Sequence, residues 1–139
     1  VAHWRTLLET LVDQRFVLFG TAGDRPVAAA VARGFPASRV TDLTGRTDLC
    51  AFAGNLRNCS LLVTNDTGGM HLANAVGVPL IALFGPTNPL RTGPVFSAPV
   101  AILQPPGCPP TGGGALADLA PSTVIDALRG FLAAPTAGV

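Results

Sequence analysis

The 139-residue chain is rich in apolar residues and poor in charged ones, at 48% and 12%, which predicts a single domain with a well-buried core. All nine basic residues are arginines, scattered along the chain against eight acids for a formal net charge of +1. Nucleic-acid binders gather basic residues on one face, so no nucleic-acid partner is expected. Glycines and prolines interrupt the apolar stretches well short of the roughly 18 residues of a membrane span, so no transmembrane segment is expected.

Strand-like and helix-like patterns alternate along the chain. Apolar residues at helical spacing predict helices, and short apolar runs bounded by glycine or proline predict buried strands. In chain order, the predicted elements are a helix over residues 3–14, a strand at 16–19, a helix from Asp24 to about Arg33, a strand from Val40, a helix over 48–58, a strand at 61–64, a helix over 69–76, strands at 80–84 and 100–103, and a helix from Pro121.

This alternation is typical of an α/β fold with a Rossmann-like parallel sheet and helices on both faces. The strand at residues 61–64 is expected to be central, and residues 85–94 and 104–114 are expected to be loops. The final helix is expected to turn five apolar residues inward: Val124, Ile125, Leu128, Phe131 and Leu132. Because the carboxyl ends of parallel strands share one edge, polar residues after several strands are expected to line a ligand pocket there.

The three cysteines, Cys50, Cys59 and Cys108, lack the spacing of metal ligands. An odd number of cysteines without a secretion signal is typical of a reducing compartment. We therefore expect three free thiols.

The segment after the expected central strand carries the strongest functional signal. It contains Asp66, Thr67, Gly68 and Gly69 and continues into a helix that holds His71. The two glycines would let the backbone turn sharply and approach a ligand closely. A helix that starts there directs its free N–H groups and its positive dipole end at the ligand, an arrangement that binds phosphate.

A more ordinary interpretation exists for each polar residue of this segment. Asp and Thr are common helix caps, and on the pattern alone capping is the more frequent use of Asp66 and Thr67. A lone histidine is more often structural, but His71 follows Thr67 by four residues and therefore lies on the same helix face. The pattern alone leaves both interpretations open.

The motif belongs to a colinear series that resembles glycosyltransferase family 9, the bacterial heptosyltransferases that use ADP-heptose. The matching residues are His3, Trp4, 42–49, Asp66, Thr67, Gly68, His71, Leu72, Ala73, 83–87, Pro89, Gly93 and Pro94. The resemblance implies the C-terminal, donor-binding half of a two-domain GT-B glycosyltransferase. In that family a preceding strand and loop supply a basic residue to the phosphates. This sequence has no counterpart, so residues 1–139 are expected to be a fragment without its first strand and the N-terminal acceptor domain.

The resemblance assigns the motif to the diphosphate and sugar of the donor. Thr67 would give its hydroxyl and nearby backbone N–H groups to the pyrophosphate, and Gly68 and Gly69 would allow the close approach. Asp66 is expected to face sugar hydroxyls, because a carboxylate about 4 Å from a phosphate charge would be repelled by roughly 1 to 4 kcal/mol. His71 is the expected catalytic residue, which donates to a phosphate oxygen of the leaving group. The family usually has proline at the position of Gly69, so a looser first helical turn is expected.

The resemblance implies two further substrate-binding residues. Thr47 lies where the backbone recognises the adenine edge, and Asp24 is the carboxylate nearest to the position that holds the ribose hydroxyls. Helix capping explains Asp24 equally well. No metal and no other cofactor are expected, because helix-end donors and His71 would take the charge of the departing diphosphate. No cluster of acids has the character of a magnesium site.

Together these expectations describe the donor half of a metal-independent glycosyltransferase. Its partners would be a nucleotide sugar, ADP-heptose by resemblance, and a hydroxyl of the lipopolysaccharide core or a similar glycan or lipid-linked acceptor. The N-terminal domain would bind the acceptor and supply the catalytic base, so this chain alone should bind donor without transferring it. A cytoplasmic location is expected, and peripheral association with the inner face of the membrane stays open. Two alternatives remain: a sugar-nucleotide epimerase of the same architecture, and a degenerate binding module without turnover.

Overall fold

A computed structural model describes residues 1–134, which fall into two compact units. The first unit is Val1–Phe52, and the second begins at Ala53. The helices and strands are, in chain order, α1 (Ala2–Thr10), β1 (Phe16–Leu18), α2 (Arg25–Ala32), β2 (Val40–Asp42), α3 (Leu49–Arg57), β3 (Leu62–Asn65), α4 (Gly68–Ala75), β4 (Leu80–Leu83), α5 (Pro89–Thr92), β5 (Val100–Leu103) and α6 (Pro121–Ala133). Single 3-10 turns lie at Ala22–Asp24 and Leu116–Asp118.

The first unit contains a two-stranded parallel sheet. β1 and β2 pair in register from Phe16 with Val40 to Leu18 with Asp42. The buried apolar residues of this unit are Leu7, Leu8, Leu11, Ala28, Val31 and Val40. They come mainly from α1 and α2, whose apolar faces are the amphipathic stripes that the sequence predicts.

The first helix ends at Thr10, four residues before its predicted end. Arg39 explains the early stop, because its Nη2 donates to the carbonyl oxygens of Leu8 and Leu11. A guanidinium in this position satisfies acceptors that the last helical turn leaves free. Val12 consequently lies beyond the helix and is 63% exposed.

The second unit contains a three-stranded parallel sheet with β4 in the middle. β4 pairs with β3 on one side and with β5 on the other, and all four of its residues are buried. α4 and α6 both pack against it. The prediction that β3 is central was wrong for this sheet. β4 takes that place because it is apolar throughout, whereas β3 ends in Thr64 and Asn65. Within residues 1–134 the strands pair into two separate sheets, whereas the sequence predicted a single sheet.

The glycine- and proline-rich stretch at residues 104–114 lies against the connection between β4 and α5. The Gly85 carbonyl oxygen accepts from the N–H groups of Gly113 and Gly114 at 2.9 and 3.1 Å. Gly112 has a φ of +85°, and a Cβ there would lie 2.1 Å from the carbonyl oxygen of Thr87. The two backbone segments are therefore in direct contact, and the stretch supports the connection after β4.

Three of the five residues predicted on the inner face of the last helix are buried. Val124, Ile125 and Leu128 are buried. The inward placement of Leu132 was wrong, since this residue lies in the final turn and is 39% exposed. α6 is 13 residues long, and among residues 1–134 no helix has both the length and the apolar character needed to cross a membrane.

The cysteines are free thiols, as predicted. Cys50 is exposed, while Cys59 and Cys108 are half-buried. Burial raises the pKa of the Cys59 thiol, whose Sγ donates to the carbonyl oxygen of Asn55 at 3.4 Å. These thiols are structural features of the two units, and we give them no functional role.

Candidate functional site

The candidate site of the second unit lies where β3 passes into α4. Thr67 is the residue before the helix and has extended backbone angles, φ −144° and ψ 166°. Its side chain does not cap the helix and instead lies 3.3 Å from the hydroxyl of Thr64. Asp66 makes no capping bond either, because its Oδ2 accepts from the hydroxyl of Thr92 at 2.8 Å. The capping interpretation was therefore wrong for both residues.

The first turn of α4 leaves backbone donors free. Within residues 1–134 the N–H groups of Gly68 and Gly69 have no hydrogen-bond acceptor, whereas the N–H of Met70 donates to the carbonyl oxygen of Thr67 at 3.0 Å. Free N–H groups at the start of a helix lie at its positive dipole end. The structure thus contains free N–H groups at the start of this helix, as the sequence predicts.

The fold itself does not require glycine at the start of α4. Neither Gly68 nor Gly69 has a positive φ, so the turn itself does not require glycine and that part of the prediction was wrong. A Cβ added to Gly68 would meet no atom within 4 Å. The fold would accept a side chain at this position, and the open space beside the free N–H is available to a ligand.

His71 lies in the first turn of the same helix and is half-buried. In the described part of the chain its imidazole takes part in no hydrogen bond and no ion pair. The ring is therefore not committed to holding the fold together through polar contacts. Both of its nitrogens remain available to a ligand at the helix start.

Thr92 is a residue of this site that the sequence prediction missed. It is the last residue of α5, 26 residues after Asp66, and its hydroxyl lies 2.8 Å from the Asp66 Oδ2. No periodicity joins two residues at such a separation. The available signal was the parallel pairing of β3 with β4, which brings the segments that follow the two strands to one edge.

The two candidate residues of the first unit lie near the ends of its strands. The Asp24 carboxylate accepts from the N–H and the hydroxyl of Thr21 at 2.8 and 2.7 Å. It makes no capping bond to α2 itself. Together with Thr21 it forms a capping box at the 3-10 turn that leads into that helix, so Asp24 caps the turn and not α2. Thr47 is half-buried in the segment between β2 and α3. Its role stays a prediction.

The turn that leads to Thr47 is held by Arg25. The Arg25 guanidinium donates to the carbonyl oxygens of Thr44 and Gly45 at 3.4 and 2.8 Å. Gly45 has a φ of +65°, and a Cβ there would lie 2.8 Å from the Cα of Ala22, so this position requires glycine. The first unit thus presents a well-braced turn just before Thr47.

Thr21 is expected to control the ionisation of Asp24. Its hydroxyl, and secondly its N–H, hold the pKa of the Asp24 carboxyl below the ordinary value of 3.8. Because the folded pKa is lowered, this carboxylate favours the folded state above pH 3.8, and its contribution is lost as the pH falls through the lower folded pKa. Thr21→Val should raise the pKa towards the ordinary value, since it removes the hydroxyl and leaves the N–H. Carboxyl chemical shifts measured by NMR against pH would show this, with Asp126 as an exposed reference, and an unchanged Asp24 pKa in Thr21→Val would contradict it.

No group of three or more His, Cys, Asp or Glu side chains within residues 1–134 is arranged to hold a metal ion. The polar groups that the second unit brings together are instead the two free N–H groups, the Thr67 hydroxyl, His71 and the Asp66–Thr92 pair. These groups can donate to an anion and accept from hydroxyls. The site is therefore chemically able to bind an anion and a neighbouring hydroxyl group.

A parallel α/β fold with free helix N–H groups at a strand end is typical of nucleotide-binding proteins. The sequence pattern of glycosyltransferase family 9 (heptosyltransferase) matches residues 1–112, and the chain belongs to this family. Lipooligosaccharide heptosyltransferase 2 of Haemophilus influenzae is 41% identical over 98 residues, which are 67% of this chain and 28% of that protein. Lipopolysaccharide heptosyltransferase 2 of Escherichia coli is 34% identical over 98 residues, with the same coverage.

Solved structures support the same conclusion about the fold. The structure of E. coli ADP-heptose lps heptosyltransferase II superposes with a TM-score of 0.81 and 29% identity, over 94% of this chain and 40% of that one. E. coli heptosyltransferase WaaC with ADP gives a TM-score of 0.77 and 26% identity, over 94% of this chain and 38% of that one. The predicted α/β fold of the GT-B heptosyltransferases is confirmed. This chain spans less than a third of the length of the two curated relatives.

Proposed function

We propose that residues 1–139 form the donor-binding part of a glycosyltransferase that takes ADP-heptose as its donor. The observation that carries the proposal is the pair of free N–H groups at Gly68 and Gly69, beside the open space at the Cβ position of Gly68, which no atom of residues 1–134 outside its own helix and chain neighbours approaches within 4 Å. A diphosphate would occupy that space and accept from both groups. The relatives support the choice of ligand, because one solved structure is titled as an ADP-heptose heptosyltransferase and another contains ADP.

Each site residue has a role in this proposal. Thr67 adds its hydroxyl to the diphosphate, and Asp66 faces the sugar, whose hydroxyls can donate to a carboxylate. His71 donates to the phosphate oxygen that becomes the leaving group. The bond that breaks joins the anomeric carbon to that oxygen, and a positioned donor stabilises the negative charge that develops on it.

In the first unit, the proposal keeps Thr47 for the adenine edge and Asp24 for the ribose. The Asp24 carboxylate is exposed, and although Thr21 binds its Oδ2, ribose hydroxyls can still donate to the remaining oxygen. The turn before Thr47 is braced by Arg25. A rigid turn suits recognition of a flat base edge by backbone groups, because little freedom is lost on binding.

The acceptor and the catalytic base belong, in this proposal, to a further part of a longer protein. Transfer to a hydroxyl needs a group that removes its proton, and the two acids that the proposal places at the donor, Asp24 and Asp66, already have other roles there. The acceptor would be a hydroxyl of the lipopolysaccharide core or a similar glycan, which the names of the relatives support. Such a protein would work in the cytoplasm beside the membrane that carries the acceptor. The phosphate charge would be met by N–H groups and His71 without a metal.

ADP or ADP-heptose should raise the melting temperature of the chain, and EDTA should leave the rise unchanged. At about 100 times its dissociation constant the ligand adds roughly 2.7 kcal/mol of stability. Differential scanning fluorimetry with ADP, ADP-heptose, GDP and UDP would measure the effect. Loss of the shift in EDTA would contradict metal-free binding, and the absence of a shift with every nucleotide would contradict donor binding altogether.

Gly68→Val is the sharpest control for this experiment. A side chain at Gly68 meets open space in the fold, so the melting temperature without ligand should stay close to that of the wild type. The same side chain would occupy the proposed phosphate position, and the ligand-induced shift should disappear. Gly54→Val makes the same change at another helical glycine with open space around it, and it should retain the shift.

A further inference from the structure

The bond between Thr92 and Asp66 connects the segments that follow two neighbouring strands. Asp66 comes directly after β3, and Thr92 ends the short helix after β4. The two strands are parallel and paired, with Asn65 opposite Leu83, so both segments leave the sheet at the same edge. The Thr92 hydroxyl lies 2.8 Å from Asp66 Oδ2 and 3.1 Å from the carbonyl oxygen of Asn88.

The helix that carries Thr92 keeps its conformation without any help from Asp66. Asn88 caps its start, since the Asn88 Oδ1 accepts from the N–H of Leu90 at 2.9 Å. At its end the N–H of Gly93 donates to the carbonyl oxygen of Pro89 at 2.9 Å, and a Cβ on Gly93 would lie 2.3 Å from that oxygen. The connection before it is supported by Gly112, as described above. Thr92 therefore lies on a turn whose conformation does not depend on Asp66, so its hydroxyl can orient the carboxylate.

A carboxylate that is held by one oxygen presents the other in a defined direction. Oδ2 of Asp66 accepts from Thr92, and within residues 1–134 Oδ1 has no hydrogen-bond donor. The free oxygen can accept from a hydroxyl of a bound sugar. If the Thr92 hydroxyl is absent, the carboxylate can turn about its side-chain bonds, and ordering it on binding then costs entropy.

We infer that Thr92 is a positioning residue through which Asp66 distinguishes a sugar-bearing donor from the bare nucleotide. The inference rests on the proposed function and adds to it the residue that sets its sugar recognition. Thr92 acts on the sugar end only, because the free N–H groups of Gly68 and Gly69 serve the diphosphate. ADP and ADP-heptose should therefore respond differently to a change at this position.

The test is isothermal titration calorimetry of ADP and ADP-heptose with Thr92→Val, which has nearly the same shape without the hydroxyl. ADP-heptose should bind about 5- to 12-fold more weakly, the effect of one hydrogen bond, while the dissociation constant of ADP stays within about twofold. Thr92→Ser keeps the hydroxyl and should retain the wild-type ratio of the two constants. Thr123→Val, at an exposed threonine of α6, is the matched control and should leave both constants unchanged.

A double-mutant cycle with Asp66→Ala separates positioning from general loosening of the helix. In the Asp66→Ala background, Thr92→Val should have no further effect on ADP-heptose, because the group that it orients is gone. The inference would be overturned if Thr92→Val lost affinity equally for ADP and ADP-heptose, or lost affinity for neither. It would also be overturned if the two substitutions were fully additive in the cycle. In each of these cases the proposed function stands as long as the wild type binds the donor. Failure of the wild type to bind either ligand would overturn the proposed function, and the inference with it.

Discussion

Replacing His71 by alanine is expected to weaken ADP binding about 10- to 150-fold, which corresponds to roughly 1.5 to 3 kcal/mol for a charge-assisted hydrogen bond. The imidazole lies in the first turn of α4 and has no polar partner within residues 1–134. The unliganded protein should therefore lose little stability. Calorimetric titration and thermal melting of the same samples would measure the two quantities separately.

The only other histidine provides the control. His3 is exposed in α1 of the first unit, and His3→Ala should bind ADP as the wild type does. Thr67→Ala should weaken ADP binding over the same range as His71→Ala, because both side chains face the diphosphate in our proposal. A His71→Ala protein that melts much earlier than the wild type yet binds ADP normally would show that the histidine is structural.

Replacing Gly112 by alanine is expected to destabilise the chain by roughly 2 to 5 kcal/mol. One part of this cost comes from the positive φ of +85°, which an L-residue adopts reluctantly, and the other from a Cβ placed 2.1 Å from the Thr87 carbonyl oxygen. Neither backbone segment can yield without moving the connection after β4. Urea denaturation followed by circular dichroism would measure the change.

The neighbouring glycine separates the two contributions. Gly113 also has a positive φ, +105°, but a Cβ there would meet no atom within 4 Å. Gly113→Ala should therefore cost only the conformational part, roughly 1 to 2 kcal/mol. If the two variants unfold at the same urea concentration, the close approach to Thr87 contributes nothing, and the stretch at residues 104–114 does not support the loop as we describe.

The alternation of helices and strands could be predicted from the sequence because it depends on local apolar patterns. β5 has its predicted bounds, β2 starts where predicted, β1 and β4 each end one residue early, and β3 is shifted by one residue. The local pattern failed to predict where an element ends when a side chain far along the sequence binds to that end. α1 stops at Thr10 because Arg39, far along the chain, binds carbonyl oxygens at its end. α5 was missed although Asn88 and Pro89 form a good helix start, because a single turn has too few residues to show a period.

The features of the candidate site could likewise be predicted only in part. Free N–H groups at the start of α4 could be predicted, since a helix that follows a strand leaves them unpaired whatever the tertiary structure. The hydrogen-bond partners of the two carboxylates could not be predicted. Asp66, a possible cap by its position, binds the hydroxyl of Thr92, and Asp24 binds the hydroxyl and N–H of Thr21 in a capping box one turn before α2. That choice depends on the geometry of turns, which a pattern of residue types does not contain.

The place of β4 in its sheet has a consequence for how the second unit folds. Neither of its ladders can begin as a hairpin, because each parallel partner is reached only after a crossover through a helix. Loop-closure entropy must therefore be overcome twice before the burial of Leu80–Leu83 stabilises the sheet. During synthesis, β4 leaves the ribosome before Val100–Leu103 emerges to cover its second edge. Until then a wholly apolar strand has unpaired backbone groups along that edge, the feature that most invites aggregation of an unfinished chain.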